Sequence, residues 1–327
     1  VSPVDTQKIA DRLYGTTSQN ETDSVNEIKG ITRTSGTASL QPREYFDFTR
    51  NSNNLFFTAR TNLLSNTSTA INANLYSITH EDGLANQGLG IVYQSVSSIS
   101  ELPLNCKHGF TVKVKGDADA NEDDYYVKFE TTGGGTFGEG SWVETHGFGL
   151  QNEIDNATLP YTLVCSNLNT FELHKMSVLP REVGDDTSNP MPSFVGKTIN
   201  NIFIYKNRLG FLLNDTIVLS ESGLGTTSLS GVNYNFFRTT VTTTLDSDPI
   251  DVTVSSEKVV KLNHAVGFQE NLILFSNNSQ FVLKGGDLLT PSSISIVPIT
   301  AFDTVDKVSP VAVGSYIYFP FLRGDFS

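Results

Sequence analysis

Apolar positions along this chain alternate over short stretches and are broken by Ser, Thr, Asn and Gly. In Phe110-Thr111-Val112-Lys113-Val114-Lys115, residues Phe110, Val112 and Val114 share one side, the period of a half-buried strand. Tyr125-Tyr126-Val127-Lys128-Phe129 answers it. Trp142-Val143-Glu144-Thr145 follows a loop at Gly133-Gly134-Gly135, so residues 110–145 read as a β-meander. Nearer the start, residues 44–49 and 55–59 flank Asn51-Ser52-Asn53-Asn54 and predict a hairpin. Helical spacing is confined to the beginning. Ser2-Pro3-Val4-Asp5 has capping chemistry, Ile9, Ala10, Leu13 and Tyr14 form one face, and Gly15 can close it. Residues 16–29 read as a polar linker, and residues 63–100 carry no decisive pattern.

Pro190 and Pro192 fix an extended path and mark a boundary. Beyond it, Ile202-Phe203-Ile204-Tyr205, Leu272-Ile273-Leu274-Phe275 and Tyr316-Ile317-Tyr318-Phe319 recur as four-residue apolar strands. In the first two, a polar turn and a second strand follow, Thr216-Ile217-Val218-Leu219 and Gln280-Phe281-Val282-Leu283. Short strands returning at uneven intervals fit propeller blades or a β-sandwich. The expected fold is mainly β. It has propeller-like or sandwich sheets, a smaller inserted β-meander domain and a short N-terminal helix. The divisions are 1–30 for helix and linker, 31–185 for small β domain(s), and 186–327 for a propeller-like region continuing past the chain end. Val1 in place of Met, and the unfinished strand pattern before Gly324-Asp325-Phe326-Ser327, give both ends the look of cuts.

Composition sharpens this picture. The 327 residues hold 35 acidic and 22 basic side chains, a net charge of −13, which disfavours DNA wrapping. Charged residues are only 17%, below the roughly 25% of an average domain. Ser, Thr and Asn take their place and favour turns and edges over helix interiors. Cys106 and Cys165 stand far apart, without a Cys-x-x-Cys, and read as reduced core residues. No apolar stretch approaches the roughly 18 residues of a membrane span, and no signal peptide is visible.

Reactive constellations are sparse. His80, His108, His146, His174 and His264 are scattered singly, without a second ligand type at metal spacing. Gly133-Gly134-Gly135 precedes no helix and reads as hairpin slack. The pairs Asp185-Asp186 and Asp246/Asp248 read as solvated groups rather than a glycosidase pair. Asp117, Asp119, Asn121 and Asp123 have the alternate oxygen ligands of the first half of a calcium loop. Glu122 stands where Gly makes the turn, and Lys128 where a bidentate Glu belongs. A solvated hairpin tip and a weak calcium site are the two readings of that loop. No other metal and no cofactor are expected, and no catalytic residues.

A series of motifs carries a family resemblance. Asn189-Pro190-Met191-Pro192-Ser193-Phe194-Val195-Gly196 leads to Ile199-Asn200 and to Asn207-Arg208-Leu209-Gly210-Phe211. Asp246-Ser247-Asp248-Pro249-Ile250-Asp251-Val252 and Ser279-Gln280-Phe281-Val282-Leu283 follow. Upstream come Gly116-Asp117-Ala118, Asp124-Tyr125-Tyr126-Val127, Trp142-Val143-Glu144-Thr145 and Leu159-Pro160. This series resembles the tail tubular protein B, or tail nozzle, family of short-tailed phages related to T7, over nearly the whole chain and most weakly before Gly83. It matches the middle portion of a longer family chain. Physically, Asn207-Arg208-Leu209-Gly210 reads as a turn with Gly210 available for a positive φ. Arg208 is placed to clamp Asp248 or Asp251 bidentately. Pro249 holds Asp246-Ser247-Asp248 in a loop.

The resemblance implies a structural virion protein, assembled in the bacterial host cytoplasm and resident in the phage tail. It implies a ring of six copies below the portal and its adaptor ring (tail tubular protein A), with tail fibres at the adaptor–nozzle junction. DNA would leave through the tube without specific binding. The alternatives are a glycan-binding or depolymerase module of a tailspike, which wants a carboxylate pair in a Trp- and Tyr-lined groove, and a surface adhesin or propeller lectin, which wants near-identical repeats.

Overall fold

Antiparallel pairing organises nearly every described segment, as the alternating patterns require. The computed structural model describes residues 31–33, 46–51, 54–59, 76–78, 90–116, 124–223 and 233–322. The expected helix and linker before residue 30 lie outside the described residues. The chain forms two compact units, residues 1–115 with 127–143, and residues 116–126 with 144–327.

In the first unit the expected hairpin is present, as Phe46–Asn51 against Asn54–Ala59. Its ladder runs from Phe46↔Ala59 to Asn51↔Asn54, so the strands reach further into the Asn/Ser segment than the apolar pattern implied. The meander is also present. Thr111–Val114, Tyr125–Thr131 and Phe137–Thr145 lie in one sheet with Ser95–Val96 and Asn105–Lys107 at its edges. Val112, Val114, Val127, Phe129 and Cys106 are buried there. Trp142 lies edge-on to Phe129 and Phe110 and donates its indole N–H to the Pro103 carbonyl at 2.9 Å. Gly133 and Gly134 take φ of 87° and 74° at the hairpin tip, which suits residues without a Cβ.

The second unit holds two four-stranded meanders. The first is Asn201–Tyr205, Arg208–Leu212, Thr216–Leu219 and Ile250–Thr253. The second is Leu262–Phe268, Asn271–Ser276, Gln280–Lys284 and Ser295–Thr300. Alternation assigns their faces. Leu212, Ile217, Leu219 and Ile250 of the first sheet pack with Leu262, Leu272, Leu274, Phe281 and Leu283 of the second. On the far side of the first sheet, Leu209, Phe211 and Val218 meet Leu159, Met176, Val178, Phe194 and Phe236. On the far side of the second, Ile273, Phe275 and Val282 meet Ile317 and Phe319. Central strands covered on both faces explain why Arg208–Leu212 and Thr216–Leu219 are buried throughout.

The repeat is real but shifted by one strand from the sequence reading. Asn201–Tyr205 is a first strand, whereas Leu272–Phe275 and Tyr316–Tyr318 lie in second strands. The equivalent points are the hairpin turns. Lys206-Asn207 (φ 46°, 59°) and Gln269-Glu270 (φ 46°, 66°) both put two left-handed residues between paired strands, and Gly314 (φ 60°) turns the third hairpin. Arg208 and Gly210 disguised the second strand of the first sheet as a turn.

One cysteine is also misplaced by the sequence reading. Cys106 is buried and free, and burial pushes its thiol pKa up, slightly offset by a backbone hydrogen bond at Lys107. Cys165 is not in a core: it is free and exposed, on a projecting hairpin, with its Sγ donating to the Asn167 carbonyl at 3.0 Å.

Candidate functional site

The motif residues between Asn189 and Asp251 gather at one end of the first four-stranded sheet. Arg208 opens the second strand there and is 1% exposed. Its Nη1 donates to the carbonyls of Ser220 (2.8 Å), Ser247 (3.2 Å) and Asp248 (2.7 Å). Its Nη2 donates to those of Asp246 (2.9 Å) and Leu289 (3.1 Å). The expected carboxylate clamp is therefore not made. Chain segments converge here, and a planar fork of N–H donors binds several of their carbonyls at once. Burial lowers the guanidinium pKa from its ordinary value, while Glu221 and Asp248 oppose the shift.

The carboxylates serve other groups. Asp248 accepts from the Leu245 amide at 2.9 Å and from Arg238 Nε at 3.3 Å, closing the loop that Pro249 ends. Asp251 Oδ2 accepts from the Ser193 amide at 2.7 Å, tying the proline segment to the fourth strand. Glu221 accepts from the side-chain amides of Asn233 and Asn235, each at 3.0 Å. Gly210 does not adopt a positive φ. The turn lies one step earlier, at Lys206-Asn207, where Asn207 takes the left-handed conformation.

The proline segment is pinned from both sides. Asn189 is buried; its side-chain amide donates to the Val183 (2.9 Å) and Arg238 (3.1 Å) carbonyls and accepts from the Arg238 amide (3.0 Å). Pro190 is exposed and Pro192 buried. Phe194 meets Phe211 and Phe236 edge-on at 5.2 and 5.0 Å, and Gly196 turns the chain at φ 74°. Sequence reading missed Arg181, which is also 1% exposed. It donates to Asp186 Oδ1 (2.8 Å) and to the carbonyls of Asn189 (3.0 Å) and Gln151 (2.7 Å). Its one signal was an arginine closing the apolar stretch from Met176 to Pro180.

This arrangement spends its charges on its own main chain. Both buried guanidiniums bind carbonyls, Arg181 also pairs with Asp186, and the other carboxylates bind amides or Arg238, leaving a rigid joint. Arg238 also donates to Thr243 O and Thr244 Oγ1 beside an open polar hollow lined by Thr187, Ser188 and Thr242. Among the described residues no group of three or more His, Cys, Asp or Glu side chains is placed to hold a metal. Asp117, Asp119, Asn121 and Asp123 lie outside the described residues. Asp124, next to them, is buried and accepts from the Gly116 amide at 2.9 Å, closing the base of that loop.

Comparison with known proteins gives a family and a relative. A family model described as bacteriophage nozzle protein matches residues 6–327. The tail tubular protein gp12 of Escherichia phage T7 is 35% identical over 251 residues, covering 77% of this chain and 30% of that protein. The chain thus spans about a third of the length of the curated relative it matches.

Proposed function

Because the chain belongs to the bacteriophage nozzle protein family, we propose that it is a structural part of a short-tailed phage tail, building the tube through which DNA leaves the virion. The observation that carries this reading is the family match from residue 6 to residue 327. The structure supports it in kind. The motif residues build a joint that fixes two stacked sheets, as a load-carrying wall requires. We assign the chain no catalytic step, since among the described residues the buried Arg181, Arg208 and Asp248 are committed to main-chain groups and to ion pairs within the fold.

The full-length protein forms a ring, with six copies as the expected number, below the portal and its adaptor ring, and with tail fibres at the junction. The net charge of −13 suits a conduit wall, since like charge keeps phosphates from sticking. A tailspike glycan site is not favoured: Trp142, the chain's single tryptophan, packs edge-on against Phe110 and Phe129 and gives its indole N–H to the Pro103 carbonyl. Electron-microscopic class averages of the full-length protein mixed with adaptor test the reading. Rings seated on the adaptor support it, and a protein that stays monomeric at micromolar concentration overturns it.

A further inference from the structure

We draw no further inference here: the strongest candidate, the exposed apolar face that Tyr161, Leu163, Phe171 and Leu173 form on the projecting hairpin of Tyr161–Asn167 with Thr170–Lys175, is a surface patch for which nothing in the structure shows what covers it.

Discussion

The ring of Phe203 occupies the space that a side chain on Gly210 would need. The two residues face each other across the first hairpin of the first four-stranded sheet, and a Cβ on Gly210 would lie 2.2 Å from Phe203 Cζ. The bare backbone lets the ring lie flat on the strand while its edge packs into the layer between the sheets. Gly210→Ala should therefore destabilise the chain by about 1–3 kcal/mol, the usual cost of overpacking. Urea unfolding of Gly210→Ala, Phe203→Leu and the pair tests it. The double variant should lose less than the sum, because the smaller side chain vacates the space. Additive losses would mean that the two residues do not share it.

Arg208 makes a different prediction from the one its sequence neighbours suggested. Its partners are carbonyls from three separate segments, so no single carboxylate substitution mimics its loss. Arg208→Met should cost about 3–5 kcal/mol, the scale of breaking a buried charged network. Arg208→Lys should recover little, since one ammonium cannot span carbonyls spread around a planar fork. Asp251→Asn should be mild, about 1 kcal/mol, because the Ser193 amide still finds an oxygen. A thermal midpoint for Arg208→Lys equal to that of the parent would refute the fork account.

The paired hairpin turns differ in how well their residues suit the backbone. Asn207 tolerates the left-handed conformation, whereas Gln269 and Glu270 adopt it without that advantage. Replacing Gln269-Glu270 with Asn-Gly should stabilise by roughly 1 kcal/mol. The Tyr205 hydroxyl donates to the Glu270 carbonyl at 2.5 Å, a main-chain contact that survives the change. Burial, with a smaller contribution from Glu270, raises the Tyr205 pKa, so this bond persists through neutral pH. Guanidinium unfolding midpoints of the two chains decide the matter, and an unchanged or lower midpoint counts against it.

What could be seen in the sequence follows from these same residues. The strand at Thr111–Val114 was legible because its inward side is apolar and its outward side polar. The strand at Arg208–Leu212 was not: burial on both faces removes alternation, and its arginine and glycine are turn formers by composition. The turn at Gln269-Glu270 was hidden for the opposite reason, since neither residue advertises a left-handed backbone. The proline segment was found as a motif, but its ties to Asp251 and Arg181 depend on contacts between residues far apart in sequence. The Tyr161–Lys175 hairpin escaped notice because it has no core of its own, and its apolar residues look like a weak strand beside Pro160.

The conduit wall proposed for this chain must let DNA pass without holding it. Each basic side chain that neutralises a phosphate releases counterions, with a salt slope of about −0.9 per contact. The arginines most suited to phosphate recognition are spent internally: Arg181 and Arg208 are buried against carbonyls, and Arg238 is committed to Asp248 and the Thr243–Thr244 segment. With 13 more acids than bases over the chain, few contacts remain to be made. Duplex DNA should bind more weakly than the roughly 10⁻⁴–10⁻⁶ M of ordinary non-specific binders at physiological salt, read by fluorescence anisotropy. Substituting several surface acids by Lys should create salt-sensitive binding in the isolated chain and, in assembled tails, slow DNA release without blocking assembly. Micromolar binding by the parent chain with a steep salt dependence would be inconsistent with a passive wall, as would charge-reversed tails that release DNA at the normal rate.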